Sequence, residues 1–162
     1  MLASSIVLGI ALGIASGGDW RRLGLLHLRW WGLLLGAVAL RVAGLLLPLD
    51  LLLYLAAIGA VGLVAAINYR LPGALAIAVG TGLNVVVIAL NGGMPVDAAV
   101  ARDADALAFA SDRLHIALTA DTRLPFLADI IPLRIFRNVY SLGDLVIAAG
   151  AFWLPFAWLR RR

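Results

Sequence analysis

Two aspartates carry the chemistry that this sequence offers. Asp129 sits in LPFLADIIPL among Phe126, Leu127, Ile130 and Ile131, bracketed by Pro125 and Pro132. Asp144 follows 15 residues later in NVYSLGDLVIAAG, just inside an apolar run that begins at Leu142. A carboxylate at the edge of hydrocarbon is expensive unless paired, so ionisable groups there are candidates for function. Two carboxylates sharing a site drive their pKa values apart, and one can then act as acid while the other acts as base. An aspartyl peptidase uses that arrangement. Asp144 also has a plainer role open to it. Ser141-Leu-Gly-Asp144 matches the Ser-x-x-acid capping box, with Ser141 as N-cap, and a carboxylate there meets the positive end of the helix dipole. A segment dipping into the interface would bring Asp129 close to Asp144.

Other polar residues lie within reach of such a site. NGGMPV, residues 91–96, follows an apolar run directly. Asn and Gly supply turn geometry, and Gly permits close backbone approach. The stretch reads either as a tight helix exit or as a pocket wall beside the acids, built from Asn91, Gly92 and Gly93. Asn84 is a mid-span amide, best satisfied by a neighbouring helix. Arg41, also mid-span, needs a partner such as Asp50 or Asp144, or must snorkel to an interface. His115 is an interfacial histidine or a proton acceptor near the acids. No second histidine stands at metal spacing, so no zinc or other metal site is expected, and no cofactor. Ser4 and Ser5 cannot form a Ser–Lys dyad, because the chain has no lysine, and the absence of cysteine removes thiolate chemistry.

Positioning these residues falls to a membrane-embedded frame. The chain has 162 residues, 64% of them hydrophobic and 14% charged, with a mean hydropathy of +1.03. A soluble domain is nearer half apolar and a quarter charged. The pattern predicts an all-α integral membrane protein, one domain, with a bundle of about five transmembrane helices. The spans are expected near residues 2–15, 30–47, 51–67, 74–90 and 142–159, with the break at 48–50 turning the chain. Residues 19–29, with Trp20, Trp30 and Trp31 close by, suit an amphipathic stretch in an aromatic belt. Residues 91–141 form the one long polar stretch. Leu107, Ser111, Leu114 and Leu118 recur at helical spacing, which predicts a surface helix over 103–118.

Arginines set the orientation. Arg21, Arg22, Arg29, Arg70, Arg160, Arg161 and Arg162 fall in the connectors after spans one, three and five, which share one side. The positive-inside rule makes that side cytoplasmic. The N-terminus and residues 91–141 then face outward, across a bacterial cytoplasmic (inner) membrane. The formal charge of +4 comes from these scattered topology signals. It lacks the clustered cations with stacking aromatics of a nucleic-acid site. The exclusive use of Arg and Asp over Lys and Glu fits a GC-rich bacterial genome.

NGGMPV, His115, LPFLADIIPL and SLGD together resemble a family of small multi-pass bacterial membrane proteins of unknown function. That family carries an Asn-Gly-Gly-x-Met-Pro-Val motif after a span, then a His, a Leu-x-Asp segment and a Ser-Leu-Gly-Asp opening of the last span. One residue that the family often has between Gly93 and Met94 is absent here. The resemblance implies an integral membrane protein and no particular activity. The order of Asn motif, apolar-flanked Asp and Asn-Val-x-x-x-x-Asp is also similar to lipoprotein signal peptidase. That likeness implies a dyad of Asp129 and Asp144 with Asn91 in the pocket. It lacks that enzyme's Gly-Asn-x-x-Asp-Arg and Asp-x-x-Ser/Thr-Lys motifs, and the enzyme has four spans rather than five.

The functional expectation is a binding or assembly component with its site at the extracytoplasmic face. Its partners would be membrane lipids and a membrane-anchored peptide or protein. The alternative is an aspartyl membrane endopeptidase, and a third reading is a small transporter component using Arg41, Asn84 and Asp144 as a polar path.

Overall fold

Among the described residues, six α-helices carry most of the chain: α1 Leu2–Ala15, α2 Gly32–Leu46, α3 Asp50–Ile67, α4 Ala74–Asn91, α5 Ala98–Asp103 and α6 Leu142–Leu159. The structure, a computed structural model, describes residues 1–47, 50–103 and 114–161. Residues 48–49 of the expected break at 48–50 and the middle of the expected surface helix, 104–113, lie outside them.

Helices α3, α4 and α6 have 18 residues each and mean hydropathies of 2.2, 2.0 and 1.6. At 1.5 Å per residue each is about 27 Å long, close to the hydrocarbon thickness of a bilayer. They are long and apolar enough to cross a membrane. Helices α1 and α2, with 14 and 15 residues, fall short of the roughly 17–25 that a span needs. So the five expected apolar helices are present, while three of the helices among the described residues have spanning length. Chain breakers explain the difference. Helix α1 ends at Ser16 before Gly17, whose φ of 88° no helix continues through, and α2 starts only after Trp30 at φ 61°. Between them a 3-10 helix, Trp20–Leu25, occupies part of the expected amphipathic stretch.

The apolar helices stand in the spatial order α1–α6–α4–α3–α2. Hydrocarbon gives little hydrophobic drive between helices, so close packing at small residues must hold them. Gly80 backs onto the Gly143 carbonyl and Gly73 onto that of Gly150, so α4 runs antiparallel to α6. Gly9 and Gly13 pack on Phe152 and Leu159, so α1 runs parallel to α6.

One end of this row collects the arginines. Asn68 accepts from the Arg29 N–H at 2.9 Å and donates to the Arg29 carbonyl at 3.0 Å. Trp158 Nε1 donates to the Arg22 carbonyl at 2.8 Å, and the Asp19 N–H to the Leu159 carbonyl. The other end carries a cap between α4 and α6. Strand β1, Met94–Val96, pairs in parallel with β2, His115–Ala117. Strand β3, Ile131–Leu133, pairs antiparallel with β4, Asn138–Tyr140. Val87, Ile88, Met94 and Leu127 form an apolar core beneath.

The cap corrects the expected helix over 103–118. Helix α5 ends at Asp103, and residues 115–117 are strand. The Met94 N–H donates to the Leu114 carbonyl at 2.7 Å and the Leu118 N–H to the Val96 carbonyl at 2.9 Å. Leucines 114 and 118 share helical spacing, but the unpaired edge of β1 claims the backbone between them, since buried backbone groups must find partners.

Candidate functional site: an acid pair under the cap

Asp144 stands at the third position of α6. Its backbone N–H donates to Ser141 Oγ at 3.0 Å, and the Ser141 N–H donates to Asp144 Oδ2 at 3.1 Å. Both halves of the capping box are therefore formed. Asn84 Nδ2, reaching across from α4, donates to Asp144 Oδ1 at 2.8 Å. The Ser141 hydroxyl lies 3.0 Å from both Asp144 Oδ2 and Asn84 Oδ1. It has one hydrogen and can donate to one of them at a time. Ser141 is fully buried. The expected interhelical role of Asn84 is thus met, with Asp144 as its partner, and Gly143 leaves the room that the amide occupies.

Asp129 is held differently. Its backbone N–H donates to the Pro95 carbonyl at 2.8 Å, and its carbonyl accepts from the Asp97 N–H at 3.1 Å. These bonds dock residue 129 against β1 on the side away from β2. The residue is buried, at 5% exposure. Oδ2 lies 3.6 Å from His115 Nε2, while Oδ1 has no hydrogen-bond partner. Burial, and then the negative charge of Asp144, push the Asp129 carboxyl up to about 8. A group in that state is neutral at pH 7 and carries a proton. Nearby Tyr140 is also raised, by burial and by the charges of Asp144 and Asp129, against a lowering hydrogen bond from Asn138.

The two acids share two cavities. One, of about 250 Å³, is lined by both aspartates together with Arg41, Tyr54, Asn84 and His115. The other, of about 240 Å³, is lined by both aspartates and His115 with Asn138, Tyr140 and Ile147. The acids and His115 are the wall between them. Arg41 makes no ion pair with Asp50 or Asp144 among the described residues. Its guanidinium instead lies 5.4 Å from the centroid of the Tyr54 ring, a cation–π distance.

Within NGGMPV, Met94 lines the first acid cavity, while Asn91, Gly92 and Gly93 are scaffold. Asn91 Nδ2 donates to the carbonyls of Val87 and Arg123, at 2.8 and 2.9 Å, and Asn91 Oδ1 accepts from the Arg123 N–H at 2.8 Å. Gly92 is the left-handed cap of α4 at φ 75°, a conformation that costs glycine nothing. Gly93 packs against Ile116 and the Leu114 carbonyl, where a β-carbon would collide. None of the three lines either acid cavity; the pocket role expected for them gives way to holding β1, which in turn places His115 on one side and Asp129 on the other. Tyr54 and Tyr140 were not anticipated as site residues. Aromatics at the ends of apolar runs read as interfacial belts, and their place in the cavities depends on which helices pack together.

The described residues contain no cluster of three or more metal-ligating side chains. No curated protein matches the chain, and no solved structure does. A family profile covers residues 26–156, which include Arg41, Asn84, His115, Asp129 and Asp144, and by it the chain belongs to the family of unknown function DUF5317.

Proposed function

We propose that the chain is a binding component of a bacterial cytoplasmic membrane, with the acid-pair cavity as its ligand site. The arginine-rich end faces the cytoplasm by the positive-inside rule, which puts the cap, the acids and the N-terminus at the extracytoplasmic face. The observation that carries the reading is Asp129: a buried carboxyl with one oxygen unpaired, beside a second acid and facing a cavity that Arg41 also lines. A buried polar atom without a partner costs stability, and a site that binds a ligand repays that cost on occupation. In thermal-shift screens of the purified protein, a ligand should raise the Tm of wild type, fail to raise that of Asp129→Asn, and raise that of Arg41→Gln less. Equal shifts in all three proteins would remove the site from consideration.

A second reading, an aspartyl membrane endopeptidase, is favoured by the cavities on both faces of the acid pair. A protonated Asp129 opposite a second carboxyl group, that of Asp144, is the pairing that acid–base hydrolysis uses, and an extended chain crossing the pair would occupy both cavities. Cleavage of a membrane-anchored peptide reporter by wild type, lost in Asp129→Asn and in Asp144→Asn, would establish it. Release of product by either variant at the wild-type rate would end it.

A further inference from the structure

A third cavity, of about 380 Å³, lies inside the row of helices. Ile6 of α1, Leu154 of α6, Ile77 of α4, Val61 of α3 and Leu34 of α2 all face it, so the row curves into a crescent. Leu23, in the 3-10 helix at the arginine end, closes its floor. The exposed wall of this crescent is wholly apolar. At its upper end Leu2 and Ile147 also line the cavity that holds Asp129, Asp144 and Tyr140. That cavity meets the one lined by Arg41 across the acid pair. The order of environments is therefore apolar pocket, acid pair, cation.

We infer that the site takes an anionic acyl lipid, with one chain in the crescent, its ester carbonyl at Asp129 and Asp144, and its phosphate at Arg41. This rests on the acid-pair cavity being the ligand site. Each segment of such a lipid meets its complement in the right sequence. The chain gains little energy from the pocket, because bilayer tails surround the protein with an equally apolar medium; the pocket orients it. The carbonyl accepts a hydrogen bond from a protonated carboxyl, using the Asp129 oxygen that has no partner in the protein. The phosphate neutralises a guanidinium that has no ion pair among the described residues, and Arg suits phosphate through its paired donors. Charge complementarity selects an anionic head over a zwitterionic one. A choline ammonium, lying beyond the phosphate, would face the arginine.

The test is native mass spectrometry of the protein released from vesicles of equal phosphatidylglycerol and phosphatidylcholine with identical chains. Wild type should retain one phosphatidylglycerol in preference to phosphatidylcholine by about tenfold or more, the worth of one charge-assisted contact. Arg41→Gln should lose the preference while still retaining lipid. Ile6→Trp, which fills the crescent from a half-exposed position, should lose the retained lipid while the Tm of the delipidated protein stays at the wild-type value. Equal retention of the two lipids by wild type overturns the inference, as does unaltered retention by Ile6→Trp. The underlying site reading is checked separately by infrared spectroscopy. Wild type should show a protonated-carboxyl band that Asp129→Asn lacks. If the band is present and the lipid preference absent, only the choice of ligand fails; if the band is absent, the site reading fails with it.

Discussion

Asn84 on α4 donates its side-chain N–H to Asp144 on α6 at 2.8 Å, tying two helices whose sequence positions are 60 residues apart. The bond sits where the glycine seam brings the helices close, beside Gly80 and Gly143. It joins the packing of the frame to the chemistry of the site, because the same carboxylate lines both acid cavities.

Removing the amide should therefore weaken fold and site together. Asn84→Ala is expected to destabilise by about 1 kcal/mol, the lower end of the cost of stripping a partner from a polar group, since Asp144 is partly buried. In a double-mutant cycle with Asp144→Asn the two effects should be coupled rather than additive. Additive losses in Tm or denaturation free energy would show that the contact does not join the helices energetically.

The seam itself makes a packing prediction. A methyl at Gly143 would overlap the Asn84 amide, whereas Gly82 has open space around its β-position. Gly143→Ala should cost about 1–3 kcal/mol through overpacking. Gly82→Ala, in the same bilayer and on a helix, should be neutral or slightly stabilising. Thermal denaturation in one detergent compares them, and matching Tm values would contradict the close approach of α4 and α6.

Protonation of Asp129 links stability to pH. Its carboxyl is raised from 3.8 to about 8 in the folded protein. Between these values the folded state holds a proton that the unfolded state has lost, so stability must fall as pH rises. The contribution is complete below about 4 and gone above about 8. Wild type should lose Tm across that window relative to Asp129→Asn, which carries no titrating proton there. Parallel curves for the two proteins would show that Asp129 titrates normally.

Orientation can be read directly, because the chain has no cysteine. Asp121→Cys, in the exposed part of the cap, should react with an impermeant maleimide in intact cells. Arg161→Cys, at the arginine-rich end, should react only after permeabilisation. The reverse pattern would invert the topology and put the acid cavity on the cytoplasmic side.

Much of this protein is written in its local sequence. Apolar runs long enough for hydrocarbon dictate helices wherever they stand, because backbone groups in lipid must bond within their own segment. The ends of α3, α4 and α6 fall within a residue of where the runs begin and stop. The Ser141–Asp144 box was legible for the same reason: cap and acid are three residues apart and need nothing else to meet. The arginine connectors likewise marked the end at which Asn68, Arg29, Arg22 and Trp158 join.

Tertiary structure decided the rest, and the reasons are geometric. The 14 residues of α1 were already marked out by the apolar run 2–15, whereas the start of α2 at Gly32 rather than at Trp30 depended on a backbone turn at Trp30 that hydropathy does not weigh. Residues 115–117 became strand because the edge of β1 needed a partner, overriding a helical spacing of leucines. Asn91, Gly92 and Gly93 look like pocket residues by type, yet their donors and turns are spent on the backbone that carries His115 and Asp129. The meeting of Asp129 with Asp144 could not come from a 15-residue spacing. It follows from β1 docking one acid and α6 capping the other, with burial of the first leaving it the one that holds a proton.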